Sequence, residues 1–266
     1  MDMDALKRRG LVMLGCGKMG SAMLEGWLKG ALDPAEVWVI DPNPSDELRA
    51  TDVRLNEDLP EAPGMVLIAV KPQLLDDALP QVTHLGGGDT VVLSVAAGVT
   101  IARYAHDFGD GTPVIRAMPN TPAAVGRGIT ALVANEGGQG SLDLAARLLD
   151  AVGQTVRLES EDQMDAVTAV SGSGPAYVFH MIEALAAAGE AEGLSADLAM
   201  ALAKATVGGA GQLAEDSPKD PGTLRADVTS PDGTTEAGLE VLMESLPDLM
   251  RRTVAAAAAR SRELGA

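Results

Sequence analysis

Short, unbroken apolar runs alternate with helix-spaced apolar positions through the first half of the chain. Leu11-Val12-Met13-Leu14 is the first run. A strand apolar on both faces belongs in a parallel sheet covered by helices on both sides. Met19, Met23 and Trp27 follow at i, i+4 and i+8, which predicts a helix over residues 18–29 that stops at Gly30. Further runs lie at residues 37–40, 65–70, 90–95, 114–115 and 129–134. A helix is expected over residues 141–152, and the run at 155–158 closes the series. Strands alternating with helices predict a parallel sheet joined by right-handed crossovers.

Beyond residue 160 the strand runs stop. Residues 175–193, 195–215 and 234–264 read as Ala-rich helices interrupted by Gly, Pro and Asp; Ala is the strongest helix former. The pattern divides the chain into residues 1–160 and 161–266. Helices with this many apolar positions bury more than one face, which points to an oligomer. The alternative is that Ala richness follows genome composition. The longest apolar runs fall far short of the ~20 residues a membrane helix needs.

Charge and composition then exclude whole classes of function. The 266 residues carry 38 acidic and 20 basic side chains, a net −18. A general nucleic-acid binder needs a basic face to displace counterions, and with two each of Trp, Tyr and Phe there is little to stack bases on. Cys16 is the only cysteine, so neither an internal disulfide nor a cysteine-rich metal site is expected. His84, His106 and His180 are scattered, too few and too dispersed for a His-based zinc site. No secretory apolar region follows the polar start Met1-Asp2-Met3-Asp4. A cytoplasmic protein with no membrane partner is the expectation.

The clearest chemistry lies at the end of the first run. After Leu14, the segment Gly15-Cys16-Gly17-Lys18-Met19-Gly20 matches G-x-G-x-x-G between a predicted strand and a predicted helix, the context a dinucleotide site requires. The first Gly permits the tight turn, the second lets backbone approach a pyrophosphate, and the third lets helix and strand pack closely. The helix start offers free N–H groups and a positive dipole end to the phosphates. Asp41 ends the second run, 21 residues beyond Gly20. An acid there bonds the adenine ribose hydroxyls and repels a 2′-phosphate, so the cofactor is NADPH or NADH with a lean to NADH. Asp41 can instead cap its own Asp-Pro-Asn-Pro turn, leaving Asn43 or Ser45 to receive a phosphate. Cys16 reads as a small filler rather than a reactive thiol.

Four further segments have no periodic explanation: Ala69-Val70-Lys71-Pro72, Arg116-Ala117-Met118-Pro119-Asn120-Thr121-Pro122, Val170-Ser171-Gly172-Ser173-Gly174-Pro175-Ala176-Tyr177 and Ser230-Pro231-Asp232-Gly233-Thr234-Thr235-Glu236-Ala237. Together with the glycine loop, in this order and over nearly the whole chain, they resemble pyrroline-5-carboxylate reductase. The resemblance implies a Rossmann-type doubly wound parallel sheet at the N-terminus, followed by an all-α C-terminal dimerisation domain. The implied division is dinucleotide binding in residues 1–160 and substrate binding with oligomerisation in 161–266. The implied partners are a small-molecule substrate and a second copy of the chain, with homodimers assembling into decamers. The implied reaction is hydride transfer from reduced nicotinamide to 1-pyrroline-5-carboxylate, giving proline.

Carried over by position, the family's cofactor contacts fall on residues 15–20 and on Asn56, next to Leu14 at the strand end and the Asp41 read above from the residues themselves. Ala69, Val70, Lys71, Pro72, Val95, Ala96 and Ala97 line the nicotinamide side. Substrate contacts fall on Glu161, Gly233, Thr234 and Thr235, with Thr235 at the ring nitrogen and Glu161 beside the product amine. Asp227 stands where the family often has Asn, and Asp232 where it usually has Gly. From the residues alone, Thr234 and Thr235 lie at a helix start before the Leu239, Leu242, Met243, Leu246 stripe. Such a start suits a carboxylate, and it equally suits plain capping by Thr. Rival readings are a β-hydroxyacid dehydrogenase, a reductase of another cyclic imine, and a redox-sensing module that binds NAD(P)H without turnover.

Overall fold

The apolar runs become strands of one sheet in the computed structural model, which describes residues 1–265. Among these residues the strands are β1 (Leu11–Leu14), β2 (Val37–Ile40), β3 (Arg54–Leu55), β4 (Met65–Ile68), β5 (Val91–Ser94), β6 (Val114–Met118), β7 (Gly128–Ala134) and β8 (Gly153–Arg157). They lie in the order β3-β2-β1-β4-β5-β6-β7-β8. The helices are α1 (Met3–Arg9), α2 (Lys18–Leu28), α3 (Asp46–Arg49), α4 (Leu75–Ala78), α5 (Ile101–Phe108), α6 (Leu142–Leu149), α7 (Met164–Val167), α8 (Gly174–Ala191), α9 (Ala196–Asp216), α10 (Pro221–Asp227) and α11 (Thr234–Leu264).

One strand pair corrects the all-parallel expectation. β6 and β7 run antiparallel, while the other pairs are parallel. The residues joining them hold a 3-10 turn, Thr121–Val125, and no crossover helix. The chain therefore turns back on itself.

Each face of the sheet is covered. Leu11, Met13, Met65, Leu67 and Leu93 pack with Met23 and Trp27 of α2 and Leu144 and Leu148 of α6. The buried Trp27 indole donates to the Leu148 carbonyl at 2.7 Å. On the opposite face Val12, Leu14, Val66 and Ile68 pack with Leu75, Leu79, Tyr104 and Phe108. The alternation along each strand sends successive side chains to opposite layers, so runs that look uniformly apolar serve two cores.

The described chain forms two compact units, Met1–Gly172 with the segment from Ala257 onward, and Ser173–Ala256. In the second unit α8 and α9 pack through Ala186, Ala199 and Ala203. Gly189 lets them approach, because a Cβ there would stand 3.3 Å from the Ala199 Cβ. Among the described residues no helix is long and apolar enough to cross a membrane.

Candidate functional site

The strand order reverses between β1 and β4, which are sheet neighbours although the chain visits β2 and β3 between them. Ligands of open α/β sheets bind outside the carboxyl ends of the strands at such a switch point. The glycine turn stands there. Gly15 has φ +84°, and a Cβ on it would lie 2.6 Å from Val70 Cγ1. Gly17 is the N-cap of α2, and a Cβ there would meet nothing within 4 Å. At Gly20 a Cβ would come within 3.1 Å of the Gly15 carbonyl oxygen. One glycine makes the turn, one leaves open space, and one seats the helix on the strand. Lys18 and Met19 open the eleven-residue α2, whose first turn carries no acid. A cleft of about 400 Å³ opens on this turn, lined among others by Gly15, Gly17, Asp41, Asn43, Ala69, Val70 and Lys71. A bare backbone at a helix start with open space before it fits a dinucleotide pyrophosphate.

Asp41 is more constrained than its position in the sequence suggests. Its carboxylate accepts the N–H of Cys16 at 2.8 Å and that of Asn43 at 2.8 Å. Asn56 brackets the same residue: its side-chain oxygen accepts the Asp41 N–H, and its amide donates to the Asp41 carbonyl, both at 2.9 Å. Asn56 adopts φ +54° to do so, a region Asn tolerates better than most residues. Asp41 thus caps its own turn and also lines the cleft. Cys16 is buried, and burial pushes its thiol upward from its ordinary value, the opposite of what a reactive thiolate needs.

The segments expected to line the nicotinamide side follow β4 and β5. Ala69 N–H donates to Leu14 and Val95 N–H to Ile68, so each segment extends the sheet by one residue before leaving it. Lys71 is exposed and caps the 3-10 turn Pro72–Leu74. Ala96 is buried, with Val95 and Ala97 partly so. The first unit therefore places residues 14–20, 41, 56, 69–72 and 95–97 at the carboxyl ends of the neighbouring parallel strands β1 to β5.

Two associations escaped the sequence reading. Arg116, buried on β6, donates from Nη1 to Glu161 Oε1 at 2.7 Å, and the same oxygen accepts the N–H of Ile101 at 2.9 Å. The usable signal was a lone cation in an otherwise apolar strand, which needs a partner when buried. The second joins two of the unexplained segments. Asn120 donates to Ser171 Oγ at 3.3 Å, and a Cβ on Gly172 would lie 2.5 Å from Met118 Cε.

In the second unit Thr234 and Thr235 are exposed and are the first two residues of α11. Asp232 adopts φ +58° and is exposed. Its N–H is accepted by Glu236 Oε2 at 2.7 Å, so the residue takes the backbone shape a glycine would give. Asp227 pairs with Lys219 at 2.6 Å. His106 and His180 face the neighbouring acids Asp107 and Glu183, and no group of side chains suited to a metal ion exists among the described residues.

Two family models match the chain. One, described as pyrroline-5-carboxylate reductase dimerisation, matches residues 161–264; the other, NADP oxidoreductase coenzyme F420-dependent, matches residues 11–98. Pyrroline-5-carboxylate reductase of Pisum sativum is 38% identical over 264 residues, spanning 96% of this chain and 95% of its own. The solved pyrroline-5-carboxylate reductase of Coxiella burnetii superposes with a TM-score of 0.89 at 33% identity, covering 97% of this chain and 99% of its own. The Plasmodium falciparum pyrroline carboxylate reductase, solved with NADP bound, gives 0.82 at 26% identity, covering 98% and 100%.

Proposed function

The chain belongs to the pyrroline-5-carboxylate reductase family, and from that premise we propose which of its residues perform each part of the reaction. It reduces 1-pyrroline-5-carboxylate to proline by hydride transfer from NAD(P)H, the last step of proline biosynthesis. The observation that carries the site assignment is the bare glycine turn opening α2 at the β1/β4 switch point.

When bound, the reduced nicotinamide would supply the hydride that adds to the imine carbon of the substrate, the ring carbon on the far side of nitrogen from the one bearing the carboxylate. The protein's part is binding and orientation. Backbone N–H groups of residues 15–20 hold the pyrophosphate, with Leu14 setting the strand end behind them. Asp41 and Asn56 serve the adenosine side, and the fixed carboxylate of Asp41 favours NADH over NADPH. Ala69, Val70, Lys71, Pro72, Val95, Ala96 and Ala97 line the nicotinamide side. At the start of α11, Gly233 leaves the N–H groups of Thr234 and Thr235 open to the substrate carboxylate. The Thr235 hydroxyl hydrogen-bonds the ring nitrogen. An iminium acceptor needs no acid–base pair from side chains, in keeping with the surface positions of the histidines.

Residues 1–160 serve the cofactor and 161–266 the substrate and subunit pairing. The chain carries the family's dimerisation segment, and dimers assemble further into decamers. A cytoplasmic location goes with this reading and with the free thiol at Cys16. The test is loss of reduced-nicotinamide absorbance that requires 1-pyrroline-5-carboxylate; a redox-sensing binder shows none. Thr235→Ala is expected to lose at least about tenfold in kcat/KM, ~1.4 kcal/mol of transition-state stabilisation. An unchanged value removes Thr235 from the reaction.

A further inference from the structure

Behind the nicotinamide-facing loop lies a buried polar cluster to which the hydride transfer gives no role. Ser94 on β5 and Arg116 on β6 are register partners, so both side chains leave the sheet on the face that α5 covers. Arg116 is only 5% exposed, and an unpaired guanidinium at such a depth is strongly destabilising. Glu161 answers it at 2.7 Å and, with the same oxygen, holds the N–H of Ile101, the first residue of α5. At the loop's other end Ser94 Oγ accepts the N–H of Ala96 at 3.2 Å and lies 2.6 Å from the hydroxyl of the fully buried Tyr104. Among the described residues no buried side-chain nitrogen or oxygen is left without a partner.

The loop between these anchors has a reason to need them. Gly98 sits at φ +76°, with the Leu264 carbonyl oxygen 3.4 Å from where its Cβ would be. Glycine gives a loop access to many conformers at little cost. Charge-assisted bonds at one end and a hydroxyl pair at the other select one of them.

We propose that Arg116, Glu161, Ser94 and Tyr104 form a clamp that fixes residues 95–100 against the nicotinamide, and that Glu161 acts through this loop rather than on the substrate. The proposal rests on the assignment of residues 95–97 to the nicotinamide side. It replaces the role in holding the product amine that the family resemblance suggested for Glu161. Glu161 and Arg116 are thus positioning residues. Their loss loosens the ring-binding end of the cofactor site and leaves the adenosine end intact.

ADP-ribose, which lacks the nicotinamide, separates the two ends. Dissociation constants for NADH and ADP-ribose, with kcat and KM for pyrroline-5-carboxylate, are measured on the full-length enzyme and on Glu161→Ala. The expected result is NADH binding weakened at least about fivefold and kcat lowered at least about tenfold, with ADP-ribose affinity and substrate KM within about twofold. A raised substrate KM with unchanged NADH binding means Glu161 touches substrate, and overturns the proposal. Equal weakening of both nucleotides, or a lowered Tm alone, reduces the pair to a fold contact and overturns it too. Should Glu161→Ala fail to fold, Glu161→Gln keeps an acceptor for Ile101, and Tyr104→Phe removes only a hydroxyl. Both are expected to give the same split between NADH and ADP-ribose in smaller measure, and its absence in both overturns the proposal. Failure of the unaltered enzyme to oxidise NADH with pyrroline-5-carboxylate is a separate outcome that refutes the reaction assigned above, while the nucleotide comparison stays readable.

Discussion

At Asp41 one side chain serves two ends. Its carboxylate bolts the glycine turn to the end of β2 through the Cys16 N–H and steadies its own turn through the Asn43 N–H. A negative charge fixed at the mouth of the cleft attracts ribose hydroxyls and repels a 2′-phosphate. Asp41→Asn keeps one acceptor oxygen for the turn and removes the charge. The ratio of kcat/KM for NADPH to that for NADH is expected to rise about tenfold, ~1.4 kcal/mol. Steady-state rates with each coenzyme check it, and an unmoved ratio leaves Asp41 a purely structural bolt. The residue type and its place after the second apolar run were legible in the sequence. Its bond to the Asn43 N–H was legible too, as the capping of its own turn. The bracket by Asn56 was not, because it depends on Asn56 taking a left-handed backbone 15 residues away. Arg116 and Glu161 were harder still: 45 positions separate them, and only the packing of α5 on the sheet brings them together.

Helix α5 shows how a local device carries a pH dependence. Thr100 caps its start by accepting the Arg103 N–H, while Tyr104 and Phe108 bury one face. Near its end Asp107 receives hydrogen bonds from His106 and Arg103. Burial pushes the Asp107 carboxyl upward, but those hydrogen bonds and the Arg103 charge prevail and hold it below its ordinary value. A carboxyl lowered on folding stabilises above its unfolded pKa of about 3.9 and loses that contribution as pH falls through the folded value. Asp107→Asn is therefore expected to lower Tm by a few degrees at neutral pH, with the gap to the unaltered protein closing below about pH 4. Thermal melts across that range check it; a gap that persists in acid makes the effect one of packing. Long elements were legible in the pattern: α2, α8, α9, α11 and the inner strands fall close to the periodicity that predicts them. α1, α5 and α10 span only seven or eight residues, too short for a period to stand out. Their signals were the caps Asp2, Thr100 and Asp220. The antiparallel turn of β7 was hidden for another reason, since an apolar run does not encode its direction.

Across the whole chain, apolar surface is distributed unevenly. The first unit buries its large hydrophobics in two layers. Most of the exposed ones among the described residues, including Phe179, Met181, Leu202, Val241, Leu242 and Leu249, lie in residues 173–256. There the buried cluster consists of three alanines. Exposed apolar faces of this kind mark an interface, and the dimerisation segment spans them. Net charge works in the other direction. Two copies carrying −18 each repel one another, and the repulsion is screened beyond about 10 Å at 0.1 M salt. Association is thus expected to tighten as salt rises, hydrophobic burial being largely indifferent to modest salt. Sedimentation equilibrium at micromolar concentration checks this: oligomers built from dimers at 0.15 M salt, with partial dissociation on dilution into low salt. Leu202→Glu, which sets a charge on the exposed face of α9, is expected to shift the population toward monomer while NADH binding persists, because the residues assigned to the cofactor lie in the first unit. A monomeric unaltered chain at 0.15 M salt, or an oligomer that weakens as salt is added, contradicts an interface driven by these apolar faces.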